Sequence, residues 1–202
     1  MSTTPSTASF LENLRAATTN SHTALEALPV SMSIMNPAVT NNEYALYLTL
    51  MHDVVKDAEE NIFPAVYKSV EGLDVHPKAQ FIEADLKTLG TTKDTAATPL
   101  TKNLDLTKLT PAFAFGVMYV IEGSSLGGRV ILKNIHGALG HDADNGAAYF
   151  SGYGAQTGSH WKAFLGALTQ YENSNNCEDE IIAGANFAFD AISAHFTANS
   201  NL

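Results

Sequence analysis

The stretch that opens at Thr110 and Pro111 restricts the fold most, because it predicts one long helix. Threonine favours the N-cap of a helix and proline favours the first helical position, so the start is well marked. The end is expected at Gly137 or Gly140, since glycine commonly follows the last helical residue. Elsewhere apolar residues recur at the helical period, and no segment alternates apolar and polar residues as a strand does. We therefore predict an all-α fold.

Five further helices are predicted from apolar periodicity and from start and stop signals. Thr40 and Glu43 form a capping box for the second of these helices, and Pro64 is expected to end it. The five helices cover about residues 9–28, 41–63, 77–90, 156–171 and 178–197.

Polar connections are expected over residues 91–108 and 141–154. Neither is long enough to divide a chain of 202 residues, which is within the size of a single core. We therefore predict one helical domain over residues 9–198. Residues 1–8, rich in serine and threonine, are predicted to be a flexible tail.

The charge of the chain limits its choice of partner. Eleven lysines and arginines stand against 21 acidic residues, which gives a formal net charge of −10 at pH 7. Because phosphate binding needs a basic surface, nucleic acid is not expected as a partner. The two arginines, Arg15 and Arg129, both fall inside the motifs described below, so an anionic ligand would depend on a few placed cations.

Cysteine content and hydropathy indicate the compartment. Cys177 is the only cysteine, which excludes an intrachain disulfide and a cysteine-built metal site. Residues 1–10 lack the basic and apolar regions of a secretory signal, and no apolar run approaches the roughly 18 residues of a membrane span. We expect a cytoplasmic protein that does not associate with membranes.

His22 lies at the edge of the apolar stripe of the first predicted helix, where it can face a cleft. Neutral imidazole commonly binds iron, and Glu26, one turn later, can orient the ring. Arg15 would place a cation about 10 Å back along the helix axis, a suitable separation between an iron centre and porphyrin carboxylates. Thr18 lies on the same flank. A simple surface pair between His22 and Glu26 explains their spacing equally well, so both interpretations remain open.

Glycines occur inside the long helix, against helix propensity. Gly123, Gly127 and Gly128 lie in apolar sequence, although each interior glycine costs roughly 1 kcal/mol relative to alanine. Gly116, Gly123 and Gly127 fall within about 40° of each other on a helical wheel. They would form a bare backbone floor suited to a flat ligand. Close packing of two helices accounts for the same spacing, so the spacing alone does not decide between a ligand-binding surface and a helix-packing surface.

Two hydroxyls flank the predicted floor. Tyr119 and Ser124 lie on opposite sides of it, whereas Arg129 projects away from the glycine face if the helix is straight. We therefore do not expect Arg129 to contact a ligand on that floor.

With the residues around His22 and the glycines of the long helix, the sequence resembles the haem oxygenase family, in particular its bacterial branch. The resemblance spans most of the chain, and the glycine motif together with the upstream histidine is specific to that family. It rests on Leu14-Arg15-Ala16-Ala17-Thr18 with His22 and Leu25-Glu26, on Tyr119-Val120-Ile121-Glu122-Gly123-Ser124 with Gly127-Gly128, on Tyr149–Gly154 and on His160–Phe164.

The resemblance implies a haem oxygenase-like helical fold, with haem between the first helix and the glycine-rich distal helix. His22 would be the proximal ligand of the haem iron, and Gly123, Ser124, Gly127 and Gly128 would cover the opposite, oxygen-binding face.

Other matched positions are expected to hold the haem itself. Arg15 and Tyr119 correspond to residues that contact the haem propionates in relatives, and Lys162 is a weaker candidate. Thr18 and Glu26 complete the predicted haem-binding set.

Two positions depart from the family pattern. Ser124 stands where animal enzymes have a distal aspartate, and bacterial relatives also lack that aspartate. His160 stands where an arginine would be unsurprising, so the propionate side can differ.

The resemblance implies oxidative cleavage of haem to biliverdin, with release of iron and carbon monoxide. The reaction would consume O2 and take electrons from a separate donor such as ferredoxin, flavodoxin or a NAD(P)H reductase. Two alternatives stay open. One is a haem-binding or storage protein without turnover, and the other is a relative in fold that acts on another small molecule.

Overall fold

A computed structural model describes residues 7–93 and 95–200. All regular structure in these ranges is helical, which confirms the predicted all-α fold. Isolated bridges among residues 142–146 are the only β-type pairing there. The described ranges contain nine α-helices: α1 (Thr7–Glu26), α2 (Pro29–Ser33), α3 (Asn41–Asp57), α4 (Phe63–Tyr67), α5 (Ala79–Thr88), α6 (Pro111–Leu139), α7 (Ala148–Ser151), α8 (Thr157–Asn175) and α9 (Glu178–Asn199).

The predicted caps of α3 and α6 are confirmed. Thr40 and Glu43 form the reciprocal capping box, and the Thr110 hydroxyl accepts a hydrogen bond from the Phe113 N–H at 3.2 Å. Gly140 ends α6 in the left-handed region with φ of +78°, where glycine carries no steric penalty. With 29 residues, α6 is about 43 Å long at 1.5 Å per residue.

The prediction that Pro64 ends a helix is wrong, because Pro64 lies inside the first turn of α4. A π-turn over Ala58–Ile62 precedes it, and a helix needs no N–H donor in its first turn. The next helix begins at Ala79 rather than at Pro77. The short helices α2 and α7 were not predicted, because they are shorter than the window over which periodicity can be recognised.

The bounds at the ends of the chain also differ from the prediction. Helix α1 covers Thr7–Glu26 rather than 9–28, so Thr7 and Ala8 of the predicted tail are helical. Residues 1–6 of that tail lie outside the described residues.

Helix α9 forms the centre of the packing. Both α6 and α1 lie against it, whereas α1 and α6 scarcely contact each other within the described residues. The α6–α9 contact is close because of two glycines. A β-carbon built on Gly116 would lie 2.0 Å from the carbonyl oxygen of Ile181, and one on Gly184 would lie 2.0 Å from that of Phe113. We call the region between α1 and α6, which both pack on α9, the cleft.

The predicted connection between α5 and α6 is held down by buried carboxylates of α3. Asp57 accepts hydrogen bonds from the N–H groups of Leu100 and Thr101 at 2.8 and 2.9 Å, and Asp53 accepts from the N–H of Ala97 at 2.6 Å. These bonds satisfy backbone groups that no helix pairs.

Asp85 of α5 positions α7 in the same way. Its buried carboxylate accepts from the N–H groups of Ala148 and Tyr149, each at 2.9 Å. Because these are the first two residues of α7, the carboxylate satisfies donors that the helix itself leaves unpaired.

Replacing Asp85 with alanine should destabilise the protein, because it removes the acceptor of both N–H groups. Unpaired buried donors cost about 1–3 kcal/mol each, so we expect the free energy of unfolding to fall by about 2–6 kcal/mol. Urea denaturation of Asp85→Ala measures this loss. The control Asp144→Ala alters an exposed side chain and should stay within about 0.5 kcal/mol of the parent protein. Equal stability of the two variants would contradict the role of Asp85.

Candidate functional site

His22 is carried by α1, one of the two helices that border the cleft. The side chain is 57% exposed, and its ring packs beside that of Phe189 on α9, with centroids 5.5 Å apart. Its Nε2 atom lies 3.3 Å from a carboxylate oxygen of Glu26. When a carboxylate accepts the proton of one ring nitrogen, the other nitrogen carries the lone pair that a metal requires. The predicted pairing of His22 with Glu26 is therefore present, in an accessible position.

A phenol and a guanidinium meet at another point of the cleft. Burial raises the pKa of Tyr119 on α6, and Arg15 and Thr18 of α1 lie close enough to oppose that rise. The Thr18 side chain is buried, and its hydroxyl donates to the carbonyl of Leu14 at 2.8 Å. The structure thus brings together Arg15, Thr18 and Tyr119, as predicted.

The glycines of α6 do not form one continuous floor, as the helical wheel suggested. Gly116 packs against the backbone of α9, and a β-carbon on Gly128 would lie 3.1 Å from the carbonyl oxygen of Phe150. A β-carbon on Gly127 meets no atom of the described residues within 4 Å, and one on Gly123 meets only the ring of Trp161, at 3.4 Å. The helix-packing interpretation therefore holds at some of these glycines, and the open-surface interpretation holds at another. Gly116 and Gly128 serve packing, whereas Gly127 borders open space.

Trp161 also borders the site, although the sequence predicted no role for it. Its ring lies 5.5 Å from that of Tyr119 and contacts Gly123. Lys162 turns elsewhere and lines a separate groove with Leu11 and Leu165 at the start of α1. It is not among the residues that the structure brings to Tyr119.

His160 faces away from the cleft. Its ring stacks on that of Tyr153 at 4.1 Å, and its Nδ1 atom lies 3.3 Å from Asp74.

A buried ion pair holds α6 to the residue that precedes α5. Lys78 pairs with Glu122, and the Tyr153 hydroxyl donates to the other carboxylate oxygen of Glu122 at 3.0 Å. Because Glu122 directly precedes Gly123, the pair sets the rotation of α6 and so the direction in which Gly123 and Gly127 face.

Ser124 lies beside a second tyrosine, Tyr149. Tyr149 belongs to one of the matched motifs, but the sequence predicted no role for it. The Ser124 hydroxyl donates to the carbonyl of Ile121 at 2.7 Å. Burial raises the pKa of Tyr149, and the nearby Ser124 hydroxyl opposes that rise. The two hydroxyls are therefore neighbours.

His22 and Arg15 lie about 10 Å apart along the axis of α1, whereas Tyr119, Gly123 and Gly127 lie on α6. Within the described ranges no group of three histidine, cysteine or acidic side chains is placed to hold a bare metal ion. No described helix is long and apolar enough to cross a membrane.

Known proteins resemble the chain over nearly its whole length. A family model described as Heme oxygenase matches residues 8–198. A protein named Heme oxygenase from Xanthomonas campestris pv. campestris is 29% identical over 157 residues, which cover 76% of this chain and 86% of that protein.

Solved structures agree with this match. The NO- and CO-bound heme oxygenase of Neisseria meningitidis superposes with a TM-score of 0.73 at 25% identity, covering 96% of this chain and 94% of that one. Heme oxygenase from Leptospira interrogans gives 0.76 at 20% identity, with 94% and 98% covered. Heme oxygenase-1 of a Synechocystis cyanobacterium, in complex with heme, gives 0.70 at 18%, with 95% and 92% covered. The last two bear on the fold alone.

The two classes of glycine predict opposite effects of an added methyl group. Gly116→Ala forces a β-carbon into the α9 backbone, and we expect a loss of at least about 3 kcal/mol in the free energy of unfolding. Gly127→Ala meets open space and improves helix propensity, so we expect unchanged stability or a gain of up to about 1 kcal/mol. Denaturant unfolding of both variants measures the difference, and a similar loss in both would contradict the distinction.

Proposed function

The chain belongs to the haem oxygenase family, and we propose on that premise that it cleaves haem oxidatively to biliverdin, releasing iron and carbon monoxide. The observation that carries the proposal is that an accessible histidine, His22, pairs with Glu26 on α1, while Gly127 of α6 borders open space. Open space beside Gly127 is what a flat tetrapyrrole needs, since a side chain there would occupy the volume of the ring.

The residues of the cleft fit haem in chemistry as well as in shape. His22 is proposed to bind the haem iron, with Glu26 holding the ring in the required tautomer. Arg15 and Tyr119 are proposed to hold the propionates, with Thr18 supporting them from below. Lys162 would contribute only by reaching across from its groove.

When bound, haem supplies the iron that activates O2 and also the porphyrin carbon that is oxidised. The chain has a positioning task. His22 would bind the iron through a neutral imidazole nitrogen, which is a weaker electron donor than a thiolate. The backbone at Gly123 and Gly127 permits close approach on the opposite side, and Ser124 offers a hydroxyl there. Gly128 supports this surface through its packing on α7.

Further participants follow from the reaction. O2 is the second substrate, and electrons are proposed to come from a separate donor such as ferredoxin, flavodoxin or a NAD(P)H reductase. Haem titration followed by reductant-driven turnover tests the whole proposal. Biliverdin formation supports it, and a bound but unconverted haem would instead indicate a haem-binding or storage protein. Absence of a Soret shift would indicate a relative in fold that acts on another small molecule.

Removing the imidazole of His22 should remove the iron ligand. We expect His22→Ala to lose the ferric spectrum typical of histidine ligation and to form biliverdin at least tenfold more slowly, equivalent to about 1.4 kcal/mol. Absorbance spectroscopy and product analysis measure both changes. The control His136→Ala removes an exposed histidine near the end of α6 and should behave like the parent protein. An unchanged Soret band in His22→Ala would assign the iron to another residue.

The two arginines form a matched pair for the propionate site. A charge-assisted contact contributes about 1.5–3 kcal/mol, so Arg15→Ala should weaken haem binding by roughly 10- to 150-fold. Arg129→Ala removes the same charge from an exposed position on α6 and should change affinity little. Haem titration measures both constants. If the two variants bind haem equally well, Arg15 does not hold a propionate.

A further inference from the structure

A cavity of about 670 Å³ lies between α8 and the loop that follows α4. One side of it is formed by residues 69–74, and the other by a face of α8 between Ala163 and Asn175. None of the described residues that line it borders the cleft between α1 and α6. Small-molecule sites commonly have volumes of about 300–1,000 Å³, so this cavity is large enough to bind a ligand.

The base of the cavity includes two aromatic side chains of α8. Phe164 is buried and Tyr171 is half-buried, and both rings pack against that of Phe115 on α6, with centroids 5.6 and 5.5 Å away. Their positions are therefore fixed by the core. Ala163 and Ala167 lie on the same face of α8, where their small side chains leave room beside the rings. An aromatic surface of this kind suits a ligand with an apolar body, and it also attracts cations.

The charged side chains of the lining are both carboxylates. Glu71 and Asp74 are exposed at the rim, and no lysine, arginine or histidine of the described chain lines the cavity. The two oxygens of Asp74 contact the imidazoles of His76, at 2.8 Å, and of His160, at 3.3 Å. Because Asp74 is shared in this way, we assign the direct contact with a ligand to Glu71 and expect Asp74 to act through its charge.

The uncharged polar side chains of the lining mainly offer acceptors. Ser69, Ser174 and Asn175 each donate to the carbonyl four residues earlier, at 3.2, 2.9 and 2.8 Å. The two hydroxyls can then only accept from a ligand, and the amide oxygen of Asn175 can accept as well. Gln170 and Tyr171 can still donate, but together with the two carboxylates the acceptors outnumber the donors. Such a lining calls for a ligand that donates hydrogen bonds and carries positive charge.

We propose that this cavity binds a small protonated amine with an apolar body. The ammonium group lies beside Glu71, within the field of Asp74, and the apolar body lies against Phe164 and Tyr171. The inference goes beyond the proposed function, since the cavity and the cleft share no described residue.

Titration of the haem-free, full-length protein with 2-phenylethylammonium tests the site. Amide NMR shifts of the isotope-labelled protein should change saturably at residues 69–74 and along α8, with a Kd on the order of 1 mM for so small a ligand. The neutral analogue 2-phenylethanol has nearly the same shape and should bind at least about fivefold more weakly. Equal affinity for the amine and the alcohol would indicate an apolar groove without charge selectivity and would overturn the proposed ligand class.

Charge variants test the role of the rim. Glu71→Gln keeps the shape of the side chain and should weaken amine binding by about two- to fivefold, as expected for an exposed ion pair. Adding Asp74→Asn should bring the total loss to roughly 5- to 20-fold, whereas affinity for 2-phenylethanol should change by less than about twofold. The control Asp144→Asn removes an exposed charge outside the cavity and should leave amine binding unchanged.

A filling variant tests the location. Ala167→Leu should occupy the space beside the rings and lower amine affinity at least about fivefold, and the helix should be retained because leucine is nearly as favourable as alanine. Ala84→Leu makes the same change at an exposed position of α5 and is the control. Parental amine affinity in Ala167→Leu or in the double charge variant overturns the inference, as does the absence of saturable shifts at the cavity. Haem titration and turnover are separate measurements, so neither result bears on the proposed function.

Discussion

The backbone contact between α6 and α9 is the constraint on which the remaining structure depends. It exists only because Gly116 and Gly184 carry no β-carbon, since either one would lie 2.0 Å from a carbonyl oxygen of the facing helix. Helix α1 also packs on α9, and α1 and α6 have few direct contacts with each other. The cleft is the region between them.

The cleft acquires its chemistry from elements that are distant in the chain. His22 and Arg15 come from α1, Tyr119 and Gly127 from α6, and Trp161 from α8. Each element is fixed by contacts outside the cleft, so the groups that face a ligand need not also hold the fold together. This separation is typical of a site that is formed before its ligand arrives.

Local chemistry explains what could be predicted from the sequence. Thr40 and Thr110 mark helix starts through neighbours three residues away, and both caps are present. The motif around His22 and Glu26 likewise lies within one turn. A helical wheel could not separate Gly116 from Gly127, because the difference lies in what faces them from α9 and from the cleft. The burial of Tyr149 was equally hidden, since it depends on elements far along the chain.

The buried pair of Lys78 and Glu122 also bears on how this protein can change over generations. Losing either partner leaves one charge uncompensated in the interior, at a cost of about 3–5 kcal/mol, while joint replacement by apolar residues can be neutral. The two positions therefore constrain each other, because a change at one is destabilising until the other has also changed. Substitutions at positions 78 and 122 are expected to appear together among descendants of this chain, in lineages stable enough to survive the intermediate.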